Sequence, residues 1–171
     1  MEPNLSNKHT HPTGILLVHT DGSSRVHKNS YGRAGWAYVI TLNGNTVKED
    51  SGSYPWTTAN RMELLAVINA IKYVRDNYSN ADMRVFSHST YVFKKGIRSS
   101  VNDSFPPYDL HKQLYLLLNS PNLKGKISWE NISNDGCYLH DKADKLAKQA
   151  SFKEKDIRLW SLIENALKDE N

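Results

Sequence analysis

The sequence predicts an α/β domain: a mixed five-stranded sheet, three strands antiparallel and then two parallel, flanked by helices with an extra helix at the C-terminus. Three observations predict it. Three short strand-like runs come first, and the second turn between them contains Asn43-Gly44, the strongest short hairpin signal. Later strand-like runs alternate with helical spacing, the pattern of parallel crossovers. The chain has 171 residues, 39% of them hydrophobic, enough to bury one core without staples.

Each element has a local reason. Residues 1–13 carry Asn, Ser, Lys, His and two Pro with no period and read as a flexible tail. Residues 15–20 are apolar and β-branched, a buried first strand that stops at the turn signal Asp21-Gly22-Ser23-Ser24. Residues 25–33 are polar and read as a loop. Residues 34–41, with Trp36, Tyr38, Val39 and Ile40, form the second strand. Residues 46–54 form a more polar third strand suited to an edge, ended by Pro55.

Residues 57–60 offer several helix caps. Leu64, Leu65, Val67, Ile68, Ile71 and Val74 then recur at helical spacing, with Glu63 in the first turn. Residues 83–86 are the fourth strand, ending at Ser87-His88-Ser89. Residues 90–97 return as a short helix, 99–107 are a loop with two prolines, and 108–118 are helical. Residues 126–132 are the fifth strand and 138–152 a helix. A last helix spans 155–168, with Ile157, Trp160, Ile163, Ala166 and Leu167 in a stripe. One domain is expected over 14–152, with 153–171 packed on it, extending it or docking a partner.

Composition narrows the class. The single cysteine, Cys137, excludes an internal disulfide and a cysteine zinc cage. No run approaches 18 apolar residues, and the N-terminus has no apolar signal core, so a cytoplasmic protein without a membrane span is expected. A monomer is the expected state, though the sequence itself gives no oligomeric state. Lys and Arg number 22 against 18 Asp and Glu, a net charge of +4 that permits a polyanionic partner without demanding one.

Chemistry-bearing residues recur at the ends of these elements. Asp21 ends the first strand and His88 the fourth; a sheet that sets these strands side by side brings the two together. Glu63 and Asp144, with Asp141 one turn before it, reach the same point from helices. Clustered carboxylates repel unless cations hold them, and oxygen-rich sites suit Mg²⁺ or Mn²⁺. Two such ions about 4 Å apart activate water and stabilise a leaving oxygen in phosphodiester cleavage. Singly, each residue has a plain reading. Asp21-Gly22 is a turn, Glu63 a charge near a helix N-terminus, Asp144 a solvated position between Lys142 and Lys145, and His88 a cap or a hydrogen-bonded loop residue.

Their order and contexts resemble the type 1 ribonuclease H family. Thr20-Asp21-Gly22-Ser23 after an apolar strand is similar to its opening motif, and the run from Thr57 to Leu64 to its second. Phe86-Ser87-His88-Ser89-Thr90-Tyr91-Val92, with Gly96-Ile97, resembles the third, and Asp141-Lys142-Ala143-Asp144-Lys145-Leu146-Ala147 the fourth. The resemblance covers about residues 14–150. It implies a metal-dependent endonuclease that cuts the RNA strand of RNA–DNA hybrids with two Mg²⁺ or Mn²⁺ ions. By resemblance Asp21 bridges both metals, Glu63 binds one and Asp144 the other, with His88 at the third carboxylate position. Ser23, Thr58, Asn60 and Thr90 fall at nucleic-acid contacts.

Three departures bear on activity. His88 brings no negative charge where the family has a carboxylate, which implies an impaired or Mn²⁺-preferring site. Residues 132–137 hold no His where the family has a flexible loop that carries one; Asn134 or Asp135 stands there. The basic, Trp-rich protrusion of many bacterial members is absent, and 99–108 contain no Lys. The alternative function is a catalytically silent RNA–DNA hybrid-binding module of the same fold.

Overall fold

The structure is a computed structural model that describes residues 14–26, 30–78, 80–97, 109–132 and 137–152. The expected tail 1–13, the loop 99–107, Asn134, Asp135 and the last helix 155–168 lie outside the described residues. Five strands form one sheet: β1 (Leu16–Ser24), β2 (Gly32–Leu42), β3 (Asn45–Thr57), β4 (Met83–Ser87) and β5 (Ile127–Asn131), in the order β3-β2-β1-β4-β5. The pairs β1–β2 and β2–β3 are antiparallel, and β1–β4 and β4–β5 are parallel. The sheet is therefore the mixed one that the hairpins and crossovers predict. Among the described residues no helix is long and apolar enough to cross a membrane.

Three helices cover the sheet: α1 (Ala59–Asn77), α2 (Leu110–Leu118) and α3 (Tyr138–Ala150). Alternation along β1 separates its two faces. Leu16 and Val18 join Leu64, Val67, Ile68 and Ile71 of α1 and Leu114 of α2 in the main core. His19 and Asp21 point the other way, to the face where α3 lies. That helix presents small residues, Ala143, Ala147 and Ala150, all fully buried.

Several boundaries differ from the sequence expectation. Asp21-Gly22-Ser23-Ser24 is strand, not turn, because the β2 ladder continues through Asp21↔Ala37 to Ser24↔Ala34. Pro55 does not end β3. The strand runs to Thr57 because it is an edge strand, where a missing N–H costs no ladder bond, and the register shifts between Gly32 and Ala34 to absorb the extra length. Asn43-Gly44 makes the expected two-residue hairpin, with φ of 51° and 81° as a type I′ turn requires. Thr58 is the cap of α1, its Oγ1 accepting from the Arg61 N–H at 3.3 Å. Glu63 consequently sits beyond the first turn. The expected helix at 90–97 contains a turn of π-helix, Val92–Gly96, closed by the Ile97 N–H donating to the Val92 carbonyl at 2.9 Å.

Two glycines set how closely the helices approach. A Cβ on Gly22 would stand 2.3 Å from the Glu63 backbone nitrogen, and one on Gly35 would stand 2.2 Å from the Ala147 carbonyl oxygen. Backbone thus packs on backbone on both faces, α1 over β1 and α3 over β2. Gly35→Ala is expected to lower stability by about 1–3 kcal/mol or more, since neither the strand nor the helix can yield cheaply. Gly44→Ala, where no atom lies within 4 Å and only φ is strained, is expected to cost about 1 kcal/mol. Urea denaturation of both variants checks this; equal losses would contradict the close seat of α3.

Candidate active site

The sheet and helices bring the four sequence candidates to one end of β1 and β4. Parallel pairing of β1 with β4 ends at His19↔Phe86, so the segment after β4 lies beside Asp21. Ser87 and Ser89 shape that segment: the Ser89 N–H donates to Ser87 Oγ at 3.1 Å, and the Ile132 N–H donates to the Ser87 carbonyl at 3.2 Å. His88 is thereby held with Nδ1 3.4 Å from Asp21 Oδ1 and Nε2 3.9 Å from Glu63 Oε1. Glu63 reaches this point from α1 across Gly22, which has no side chain to bar it.

Asp144 arrives from α3, close enough for its charge to raise the Asp21 pKa. Its Oδ2 accepts from Lys148 Nζ at 2.7 Å, one helical turn on. Asp144 is half-buried, not the solvated position that its lysine neighbours suggest. Asp21 and Glu63 are 1% and 3% exposed, so neither is a surface charge.

Burial pushes the Asp21 carboxyl well above the usual carboxylate range, and the Asp144 charge adds to the rise; the Gly22 N–H and the Lys148 charge offset part of it.

Two histidines that the sequence reading did not single out complete the surroundings. His140 on α3 is 5% exposed and meets His88 edge-on, ring centroids 4.8 Å apart. Burial, and then the His88 charge, lower its pKa. The available signal was the spacing His140-x-x-x-Asp144, which puts both side chains on one helical face. His19 stacks on Phe86 at 4.5 Å, lies 3.9 Å from Cys137 Sγ, and has its pKa lowered to about 4, chiefly by burial. Together His88, His140, Asp141, Asp144 and Lys148 line an open cleft of about 240 Å³.

The residues present fit a divalent cation. Asp21 Oδ1 and His140 Nδ1 are buried and make no hydrogen bond among the described residues. Ligand atoms of Asp21, His88 and His140 all lie within 4.8 Å of one another. Buried polar groups left unsatisfied cost about 1–3 kcal/mol each, and a cation removes that cost along with the carboxylate repulsion.

The candidate nucleic-acid contacts lie on or next to the elements that carry this cluster. Ser23 is half-buried on β1, on the same face as Asp21. Thr58 caps α1; its Oγ1 is an acceptor there, which leaves its hydroxyl proton to donate outward. Asn60 lies in the first turn of α1 with Oδ1 buried. Thr90 is exposed just after the His88 segment. Asn134 and Asp135 are outside the described residues.

Known proteins are similar to this chain in sequence and in architecture. The family described as RNase H matches residues 14–152. Ribonuclease H of Campylobacter curvus is 32% identical over 149 residues, covering 81% of this chain and 93% of that protein. Ribonuclease H of Ehrlichia ruminantium is 32% identical over 144 residues, covering 78% and 92%. RNase H1 from the halophilic archaeon Halobacterium salinarum superposes with a TM-score of 0.61 at 24% identity, covering 80% of this chain and 97% of that one. LC11-RNase H1 in complex with an RNA/DNA hybrid gives 0.61 at 22% identity, covering 79% and 95%. The two structural likenesses carry the fold.

The buried acid sets a pH dependence in the absence of cations. Folding raises the Asp21 pKa above its ordinary 3.8, so its proton stabilises the fold. That contribution is full below about pH 4 and is lost as pH climbs through the raised value. Asp21→Asn is therefore expected to gain stability over the parent as pH rises from 4.5 to 8 in EDTA, by at least about 1 kcal/mol. His19 acts in the opposite sense, losing stability as pH falls from 6.5 toward 4, but it is common to both proteins and cancels. Thermal melts across this range check it; a difference that ignores pH contradicts the buried acid.

Proposed function

The chain belongs to the RNase H family of enzymes, and from that premise we propose that it hydrolyses the RNA strand of RNA–DNA hybrids with divalent cations held around Asp21. The observation that carries the reading is the meeting of Asp21, Glu63, His88 and Asp144 at one end of the sheet. Asp21 would bridge two cations, Glu63 would hold one and Asp144 the other, with His88 beside both carboxylates. When bound, a cation supplies positive charge against the scissile phosphate and eases the loss of a proton from water.

The chain's own residues prepare that chemistry. Lys148 fixes the Asp144 carboxylate by a hydrogen bond, and the Gly22 N–H steadies the charged form of Asp21. Thr58, Asn60, Ser23 and Thr90 would anchor the hybrid's backbone and base edges, which sets register rather than sequence choice. The net charge of +4 is compatible with a polyanionic substrate.

His88 decides how strong the activity is. It replaces an anionic ligand with a neutral one, which weakens the hold on Mg²⁺ more than on Mn²⁺. When protonated, it lies within ion-pair distance of Asp21 and Glu63 and neutralises the charges a cation would otherwise use. That second role favours the alternative of a hybrid-binding module that does not cut.

Cleavage of a labelled hybrid by this chain and by His88→Asp, in Mg²⁺ and in Mn²⁺, tests the proposal. The parent is expected to cut faster in Mn²⁺ than in Mg²⁺, and His88→Asp to raise the Mg²⁺ rate by on the order of 10²–10³-fold. Cutting by His88→Asp alone would favour the binding module. No cutting by either protein in either metal would overturn the nuclease reading.

A further inference from the structure

We infer that Asp21, His88 and His140 form a nitrogen-rich cation site, and that the centre selects a transition cation such as Mn²⁺, Co²⁺ or Zn²⁺ over Mg²⁺. The inference rests on reading the cluster as a cation-dependent centre. It goes further by adding a ligand from outside the matched motifs and by naming the class of ion.

Geometry supports it first. One donor atom from each of the three residues lies within 4.8 Å of the other two. Ligands on one ion at bond lengths of about 2.1 Å sit about 3.0–4.2 Å apart. Small side-chain rotations therefore complete the site without moving the backbone.

Satisfaction supports it next. His140 Nδ1 and Asp21 Oδ1 are both buried and both lack a hydrogen bond among the described residues. They belong to residues 5% and 1% exposed. One comes from α3 and one from β1, and a single ion between them answers both. No such account follows for His140 as packing alone, since an apolar residue would fill the same space without an orphaned nitrogen.

Chemistry then names the ion. Two imidazoles and one carboxylate suit borderline divalent cations, whereas Mg²⁺ takes oxygen ligands and sheds its waters reluctantly. The close seat of α3, made by Ala143, Ala147 and Gly35, is what brings His140 against the His88 ring. His140 thus stands in for the ligand strength that His88 removes from the family's carboxylate set.

Visible absorption during titration of Co²⁺ into the metal-free full chain tests this, with Mg²⁺ affinity measured by competition. Nitrogen-shifted bands are expected, with a Kd for Co²⁺ at least 100-fold below that for Mg²⁺. His140→Ala is expected to lose at least tenfold in Co²⁺ affinity and less than twofold in Mg²⁺ affinity. His140→Gln fills more of the volume and guards against a variant that fails to fold. Mn²⁺ spin resonance on the unmodified chain, labelled with ¹⁵N-histidine, reads nitrogen ligation without any variant. Oxygen-only spectra, or His140 variants that bind Co²⁺ as the parent does, would overturn the inference. Hybrid cleavage separates the two readings. Cutting in Mg²⁺ with oxygen-only spectra leaves the nuclease and removes this site. Nitrogen-ligated Co²⁺ without cutting in any metal leaves this site and removes the nuclease.

Discussion

The site is organised around the nearness of the Asp21 and Asp144 carboxyls, close enough for the Asp144 charge to raise the Asp21 pKa. Asp21 is buried and Asp144 half-buried, so the two repel when both are charged, and Lys148, 60% exposed and well screened, cancels this only in part. Left alone, the fold would separate them. It does not, because each acid is carried by an element that is locked elsewhere. Asp21 is in the middle of a strand paired on one side and close to the end of the pairing on the other. Asp144 rides on a helix whose Ala147 backbone rests on Gly35. The energy that holds them together comes from the apolar core on the opposite face, not from the site.

That division of labour runs through the molecule. The face of β1 with Leu16 and Val18 packs against α1 and α2 and supplies stability. The face with His19 and Asp21 meets α3 and carries the candidate site. Glycine at position 22 lets Glu63 cross from one face to the other, and the parallel neighbour β4 delivers His88. Where most of the family's pattern is kept, His88 alters the charge balance by exchanging an anion for a neutral ring. The second buried ring, His140, meets it from α3. The centre is consequently less acidic than its sequence motifs suggest and richer in nitrogen.

Most of the fold was legible because it is written in local terms. Asn43-Gly44 marked its hairpin, and Leu64 to Val74 marked α1. The order of hairpins before crossovers marked the sheet. What escaped was tertiary. Asp21-Gly22-Ser23-Ser24 reads as a turn by composition, and only pairing with β2 makes it strand. Pro55 reads as a stop, and only an edge position lets the strand pass through it. Of the site, Asp21, Glu63, His88 and Asp144 could be named from their motifs, and they do converge. His140 was hidden because a histidine on an amphipathic helix gives no sign of which neighbour it meets until the helix is docked. The flexible-loop candidates Asn134 and Asp135 fall outside the described residues.

The buried cluster of Asp21, His88 and His140 is suited to hold a cation. A crystal structure of the metal-free chain soaked in Mn²⁺, with anomalous differences recorded at the manganese edge, addresses it directly. A peak is expected at roughly 2.0–2.4 Å from an Asp21 carboxylate oxygen, with His88 or Asp144 also in contact. An empty cluster at millimolar Mn²⁺, with peaks confined to surface carboxylates, would contradict it.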